Sequence, residues 1–202
     1  GDTIVLELWM QEEEEEEKEK RRGDELAIKL LKTRTIVIAD VVSKIMAQKV
    51  ISQLLLLEQE DPKAEVKIFI NSPGGDADAG FAIYDMIRFV TPPVKIICAG
   101  ITASAAVIIL LAAEKGSRHS LPNARILIHQ PSTGVHGSAA DIQIEASEIL
   151  KCREKINKLI ANETGQSVEK VENDTKRNFW MSADEALKYG LIGKIIQTRK
   201  DI

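Results

Sequence analysis

The chain has 202 residues, 44% hydrophobic and 29% charged, which supplies apolar material for one substantial core and makes a single domain the default. Its formal net charge of −4 depends on six consecutive glutamates, Glu12 to Glu17, and nothing in the pattern suggests a nucleic-acid surface. Cys98 and Cys152 both fall in apolar-periodic stretches, which suits buried thiols in a reducing compartment better than a disulfide framework; with no basic and apolar leader at the start, cytoplasmic residence is expected.

Residues 1–25 stand apart from the rest. The apolar segment Ile4 to Met10 leads into the glutamate run, then into mixed charge from Lys18 to Arg22 and Gly23. Like charges at helical spacing repel, so a mobile, solvated loop is expected here. From Thr35 onward the hydrophobic period alternates. Runs rich in β-branched and apolar residues at Thr35 to Ile38, Val66 to Ile70, Val94 to Ala99 and Arg125 to Ile128 are separated by helical patterns. Between the first two, Val42, Ile45, Met46, Val50, Leu54 and Leu57 step by three and four along one face, with Asp40 as the expected N-cap. This βαβ rhythm implies a parallel sheet with right-handed crossovers.

Ile96 to Ala113 is apolar over 18 residues apart from Gly100, Thr102 and Ser104. That length just reaches a membrane span, but the central glycine and hydroxyls divide it into a strand and an alanine-rich helix starting near Ala103, so no span is expected. Beyond His129, the turn-rich stretch Pro131 to Gly137 precedes a long stripe of Ile142, Ala146, Ile149, Cys152, Ile156 and Ile160. A shorter helix follows from Ser182 to Tyr189, with Ser182 and Glu185 forming a capping box and Gly190 ending it.

Four places can carry chemistry. Asn71-Ser72-Pro73-Gly74-Gly75 follows a strand directly; two glycines there serve either a simple turn or a loop whose amides receive a developing oxyanion. Ser104 stands where strand gives way to helix, as a nucleophile over the positive end of the dipole or as an ordinary N-cap. Of three histidines, His129 ends a strand and can reach the same sheet edge as Ser104, whereas His119 and His136 lie in polar connections and read as surface residues. For a third group that orients the imidazole, the stretch Glu172 to Asn178 offers both Asp174 and Asn178.

These four segments, in this order, closely resemble the Clp protease proteolytic subunit family. Ser104 and His129 are 25 positions apart and His129 and Asn178 are 49 apart, as that family leads one to expect. The likeness runs from about Gly23 to the C-terminus. It implies an α/β, crotonase-like fold of parallel-sheet βαβ units with a projecting long helix, the peptidase domain covering 26–202 and its handle about 130–162. It also implies a serine endopeptidase acting on unfolded polypeptide inside two stacked heptameric rings, with a partner AAA+ unfoldase and no cofactor or metal of its own. By the same resemblance Ser104 attacks, His129 shuttles the proton, Asn178 orients it, and the amides of Gly75 and Ala105 hold the oxyanion. The loop Ser132 to Ser138, with Thr133, Gly134 and Val135, pairs with extended substrate, and Phe69 and Phe89 contribute to an apolar docking pocket between neighbouring subunits.

Three departures from the family's pattern matter. Asn178 stands where the triad carboxylate is usual and brings no charge to an imidazolium, so low or conditional activity is expected. Ala105 replaces the usual methionine after the serine, which leaves the backbone donor in place and alters the substrate pocket. The glutamate run occupies the region that lines the axial pore, where seven copies would make a strongly negative mouth. The alternative is a catalytically weak structural subunit completing a mixed ring with an active paralogue. A crotonase-like acyl-CoA enzyme lacks its glutamates here, and Thr102 and Ala106 stand where the elbow of an α/β-hydrolase wants glycines.

Overall fold

The structure is a computed structural model that describes residues 2–132 and 134–202. Its centre is a sheet of seven strands among the described residues, β1 (Thr35–Ile38), β2 (Val66–Ser72), β3 (Val94–Ala103), β4 (Arg118–Ser120), β5 (Arg125–Ile128), β6 (Phe179–Ser182) and β7 (Lys194–Ile195). The main path runs β1-β2-β3-β4-β7, all parallel, while β5 pairs with β3 and carries antiparallel β6. Parallel strands need crossovers, and helices α2 (Lys44–Glu60) and α3 (Ala77–Phe89) supply the first two.

The core is aliphatic. Ile36, Ile38, Ile68, Ile70 and Ile96 are at most 1% exposed, each burial adding roughly 1.5–3 kcal/mol of hydrophobic stabilisation. Helix α2 packs on it through Ala47, Val50, Leu54 and Leu57, so the buried stripe differs from the sequence expectation: Ile45 is 81% exposed and Val42 precedes the helix. The cap differs as well. Ser43, not Asp40, accepts from the Met46 amide at 3.1 Å, because Val42 still bridges to Gly75 and the helix starts only after it.

Strand β3 forks. Its first half pairs with β2 on one side and β4 on the other, whereas Ile101–Ala103 pairs with β5. Gly100, at φ 66°, makes the bend: a Cβ there would lie 2.6 Å from Asn71 Oδ1, and that oxygen accepts from the Ile101 amide at 3.1 Å. The strand therefore continues to Ala103, four residues past the expected end, and the buried helix α4 (Ala105–Leu110) starts two residues later than predicted.

The long helix α5 (Ala139–Thr164) buries Ile156, Ile160 and Ala161 in its C-terminal half, while Ile142, Ile144 and Leu150 nearer its start are exposed. Its base is held by a residue that the sequence did not single out. Arg118 is fully buried, bonds the Glu163 carboxylate at 3.0 Å and donates to the carbonyls of Ala113, Glu163 and Gly190. Burial lowers the pKa of that guanidinium, and the Glu163 carboxylate opposes the shift. Helix α6 (Val168–Thr175) and helix α7 (Ala183–Tyr189) follow, the latter with the expected capping box and Gly190 in the left-handed conformation at φ 99°.

The N-terminal segment is a helix, α1 (Asp2–Leu31), where a loop was expected. Glutamate, lysine, leucine and alanine are strong helix formers, and pairs at i,i+4, Glu14–Lys18 at 4.0 Å and Glu17–Arg21 at 3.5 Å, offset part of the like-charge repulsion. Asp24 also reaches Lys49 of α2 at 3.0 Å, and the helix passes the expected boundary at 25. Ile4 to Met10 remain exposed along it.

Candidate active site

Strand ends bring the singled-out residues together. Ser104 follows the end of β3, His129 follows β5 and Asn178 precedes β6. Ala103 is in register with Leu127 and Leu127 with Trp180, while Ile128 faces Phe179, so one ladder step further sets His129 beside Asn178. His129 Nδ1 and Asn178 Oδ1 are 3.2 Å apart. With the amide oxygen toward the ring, Nδ1–H donates and Nε2 is left bare, which is the tautomer a general base needs.

Ser104 has φ 55° and ψ −119°, a conformation that L-residues avoid and that costs on the order of 1–3 kcal/mol. Its amide donates to the Leu127 carbonyl at 3.0 Å and its carbonyl accepts from Val107 at 2.9 Å, which pins the strained turn from both sides. It occupies the N-cap position of α4, yet its hydroxyl makes no capping hydrogen bond. That removes the capping role as the reason for a serine here and leaves the hydroxyl directed to the cavity. This strand-to-helix turn forms with Thr102 and Ala106, both fully buried, at the positions where an α/β-hydrolase elbow has glycines.

The glycine loop lies opposite. Gly74, at φ 91°, passes so close to the serine turn that a Cβ would meet the Ala103 oxygen at 2.5 Å and Ser104 Cβ at 2.8 Å. Gly75, at φ 151°, bridges Val42: the Val42 amide donates to Gly74 O at 2.9 Å and the Asp76 amide to Val42 O at 2.8 Å. The Gly75 amide therefore faces away from that bridge. Neither it nor the Ala105 amide, in the first turn of α4, is taken by an acceptor among the described residues. Beneath the loop, Ser72 Oγ donates to Asp40 O at 2.6 Å and accepts from the Gly74 amide at 3.2 Å.

Gly75, Ser104, Ala105 and His129 line one cavity of about 600 Å³. Its floor is apolar, from Val107, Ile108 and Leu111 after the elbow and Ile149, Cys152 and Ile156 of α5. The α5 wall was legible only as a hydrophobic stripe. No hydrogen bond joins Ser104 to His129 among the described residues; His129 makes its contact with Asn178 instead.

The competing residues lie elsewhere. Asp174 accepts from Tyr189 Oη at 2.8 Å and pairs with Lys170 at 2.7 Å; burial first, and then this carboxylate, raise the Tyr189 pKa. His119 is buried on β4, not on the surface as expected, with Nε2 3.1 Å from Gly116 O, and burial is the main cause of its lowered pKa. His136 is exposed. Gly134 and Val135 fall in the irregular stretch before α5, Thr133 lies outside the described residues, and Pro131 and Ser132 line the cavity. Phe89 is 76% exposed and Phe69 half-buried on the β2 side of the sheet. Among the described residues no cluster of metal-ligating side chains occurs, and no helix is long and apolar enough to cross a membrane.

The sequence profile of the Clp protease family matches residues 16–199. A curated relative, the ATP-dependent Clp protease proteolytic subunit 2 of Treponema denticola, is 52% identical over 179 residues, 89% of this chain and 90% of that one. Among solved structures, an Asn-to-Asp mutant of ClpP1 from Listeria monocytogenes superposes with a TM-score of 0.80 at 47% identity, covering 87% of this chain and 98% of that one.

Proposed function

The chain belongs to the Clp protease family, and on that premise we propose that Ser104, His129 and Asn178 hydrolyse peptide bonds with the amides of Gly75 and Ala105 as oxyanion donors. It is the proteolytic subunit of an ATP-dependent protease and a serine peptidase, with the fold of its relatives. The observation that carries the site is the convergence of Ser104 and His129 on one cavity, with His129 Nδ1 held 3.2 Å from Asn178 Oδ1.

In the reaction, Ser104 Oγ forms a bond to the scissile carbonyl carbon as its proton passes to His129 Nε2. The Gly75 and Ala105 amides stabilise the oxyanion, a contribution that at one donor elsewhere amounts to about 2.7–4 kcal/mol. The C–N bond then breaks, the imidazolium protonates the departing amine, and a water activated by His129 hydrolyses the acyl-serine. The cavity floor receives the side chain of the residue whose carbonyl is attacked. Extended substrate pairs with Ser132 to Ser138, the stretch that includes Thr133, Gly134 and Val135.

The family forms oligomeric protease rings that work with Clp ATPases. We assign this chain to two stacked heptameric rings in the cytoplasm, with the exposed start of α5 as the contact between rings and residues 26–202 as the peptidase domain. Residues 1–25 would line the entrance. If Glu12 to Glu17 ring it, deleting them speeds degradation of acidic unfolded substrates more than basic ones, and most at low salt; equal acceleration of both discards this role.

The site is tested by a fluorophosphonate probe and intact mass. One adduct on Ser104, absent in Ser104→Ala and His129→Ala, is expected; a native chain that stays unlabelled overturns the assignment. Asn178 favours a second reading, a weak structural subunit in mixed rings. That reading predicts labelling only after mixing with an active paralogue.

A further inference from the structure

The carboxylates at the rim of the cavity have no part in the chemistry described so far. Asp76 caps α3, accepting from the Ala79 amide at 2.8 Å, and Asp78 lies in the first turn of that helix with no partner among the described residues. Both are exposed and both line the cavity; Asp76 follows Gly75 directly in the chain and Asp78 is three residues on from it. They thus share one cavity with Ser104 and the two proposed oxyanion amides, Asp76 being next in the chain to one of those amides. The third acid of the lining, Glu148, is occupied by Lys151 at 2.6 Å. No lysine or arginine lines the cavity among the described residues, and the nearby Lys155 ammonium sits over the Phe81 ring at 3.8 Å.

The field of these acids reaches the floor. The Cys152 thiol, in that floor, has its pKa raised by burial first, with Asp78 and, to a smaller extent, Asp76 adding to the effect against Lys155. The cavity thus combines an aliphatic floor with an anionic lip on the oxyanion side. A side chain whose methylene stem lies along Ile149 and Ile156 and whose charged end turns back to water at the lip suits both parts.

We propose that Asp78, seconded by Asp76, sets the specificity of this site toward a residue with an aliphatic stem and a cationic end, lysine above all, and against acidic residues at the attacked position. The inference rests on Ser104 being the nucleophile. An exposed ion pair contributes up to about fivefold in rate, and that sets the scale of the preference.

The test uses three peptidyl diphenyl phosphonates that differ only at the residue next to phosphorus: lysine, norleucine and glutamate. Norleucine has the lysine stem without its amine, so the ratio of the two labelling rates isolates the charge. Intact-mass time courses on the native chain are expected to give lysine over norleucine by up to about fivefold at low salt, with glutamate slowest. The ratio should fall toward one in 1 M salt and in the Asp76→Asn, Asp78→Asn double variant, whose asparagine still caps α3. Lysine labelling no faster than norleucine in the native chain, or a preference that survives the double variant, overturns the role of the carboxylates. No labelling by any of the three overturns instead the assignment of Ser104, and the inference with it.

Discussion

Asn178→Asp is the most informative single change. In the native chain the imidazole faces a neutral amide at 3.2 Å, so the imidazolium formed during attack gains a hydrogen bond and no charge partner. A carboxylate in the same place adds a Coulomb attraction. Across about 4 Å this amounts to about 1 kcal/mol in water and about 4 kcal/mol at an effective dielectric constant near 20. Asn178 is exposed and His129 half-buried, so a value of about 1–3 kcal/mol is appropriate, or about 5- to 150-fold in rate at 1.36 kcal/mol per decade. A second effect has the same sign. An amide can turn its NH₂ toward Nδ1 and select the unproductive tautomer, whereas a carboxylate can only accept. The assay is steady-state cleavage of a fluorogenic peptide by both proteins at equal assembly state, checked by size-exclusion. An assembled variant that cleaves no faster than the native chain refutes Asn178 as the third member.

Three further outcomes follow from the geometry. Ser104→Gly abolishes labelling but unfolds at a higher temperature than Ser104→Ala, by about 1 kcal/mol of stability, because glycine accepts φ 55° without strain; equal melting would contradict the strained elbow. Gly74→Ala pushes a methyl into the Ala103 oxygen and Ser104 Cβ, so fluorophosphonate labelling should drop at least tenfold with about 1–3 kcal/mol lost in thermal melts; native labelling would show that the contact is slack. Burial pushes the Cys98 thiol up to about 12, so it stays protonated at neutral pH, and a disulfide reagent titrates at most one thiol, Cys152, in the folded chain and two in denaturant. Two fast thiols in the native protein would refute that.

Much of the candidate site's geometry was legible because the singled-out residues fall at strand ends. His129 terminates an apolar run, and Gly74-Gly75 closes another, so a parallel sheet alone directs both to the edge that holds Ser104. The choice between Asp174 and Asn178 was not legible from helical and strand periods. It depends on Tyr189 and Lys170, distant side chains that occupy the aspartate. Arg118 escaped notice because a lone arginine reads as surface until the three carbonyls and the carboxylate around it are known. The α1 helix was missed by weighting repulsion among six glutamates above the propensity of a 30-residue segment and its i,i+4 pairs. The fork of β3 left one trace, Gly100, which reads equally well as a helix boundary.

That fork makes the terminal part of β3, together with β5 and β6, a three-stranded raft bearing all of Ser104, His129 and Asn178 at adjoining ends. Displacing the raft as a body would leave those three residues aligned with one another, at the cost of the Ser72–Thr102 pairing that ties it to β2. The amide of Gly75 rides instead on the loop after β2, moored to Val42. The serine, histidine and asparagine are therefore carried by one set of strands and the Gly75 amide by another, so the spacing between raft and mooring can alter the site while the β3-β5-β6 ladder stays intact.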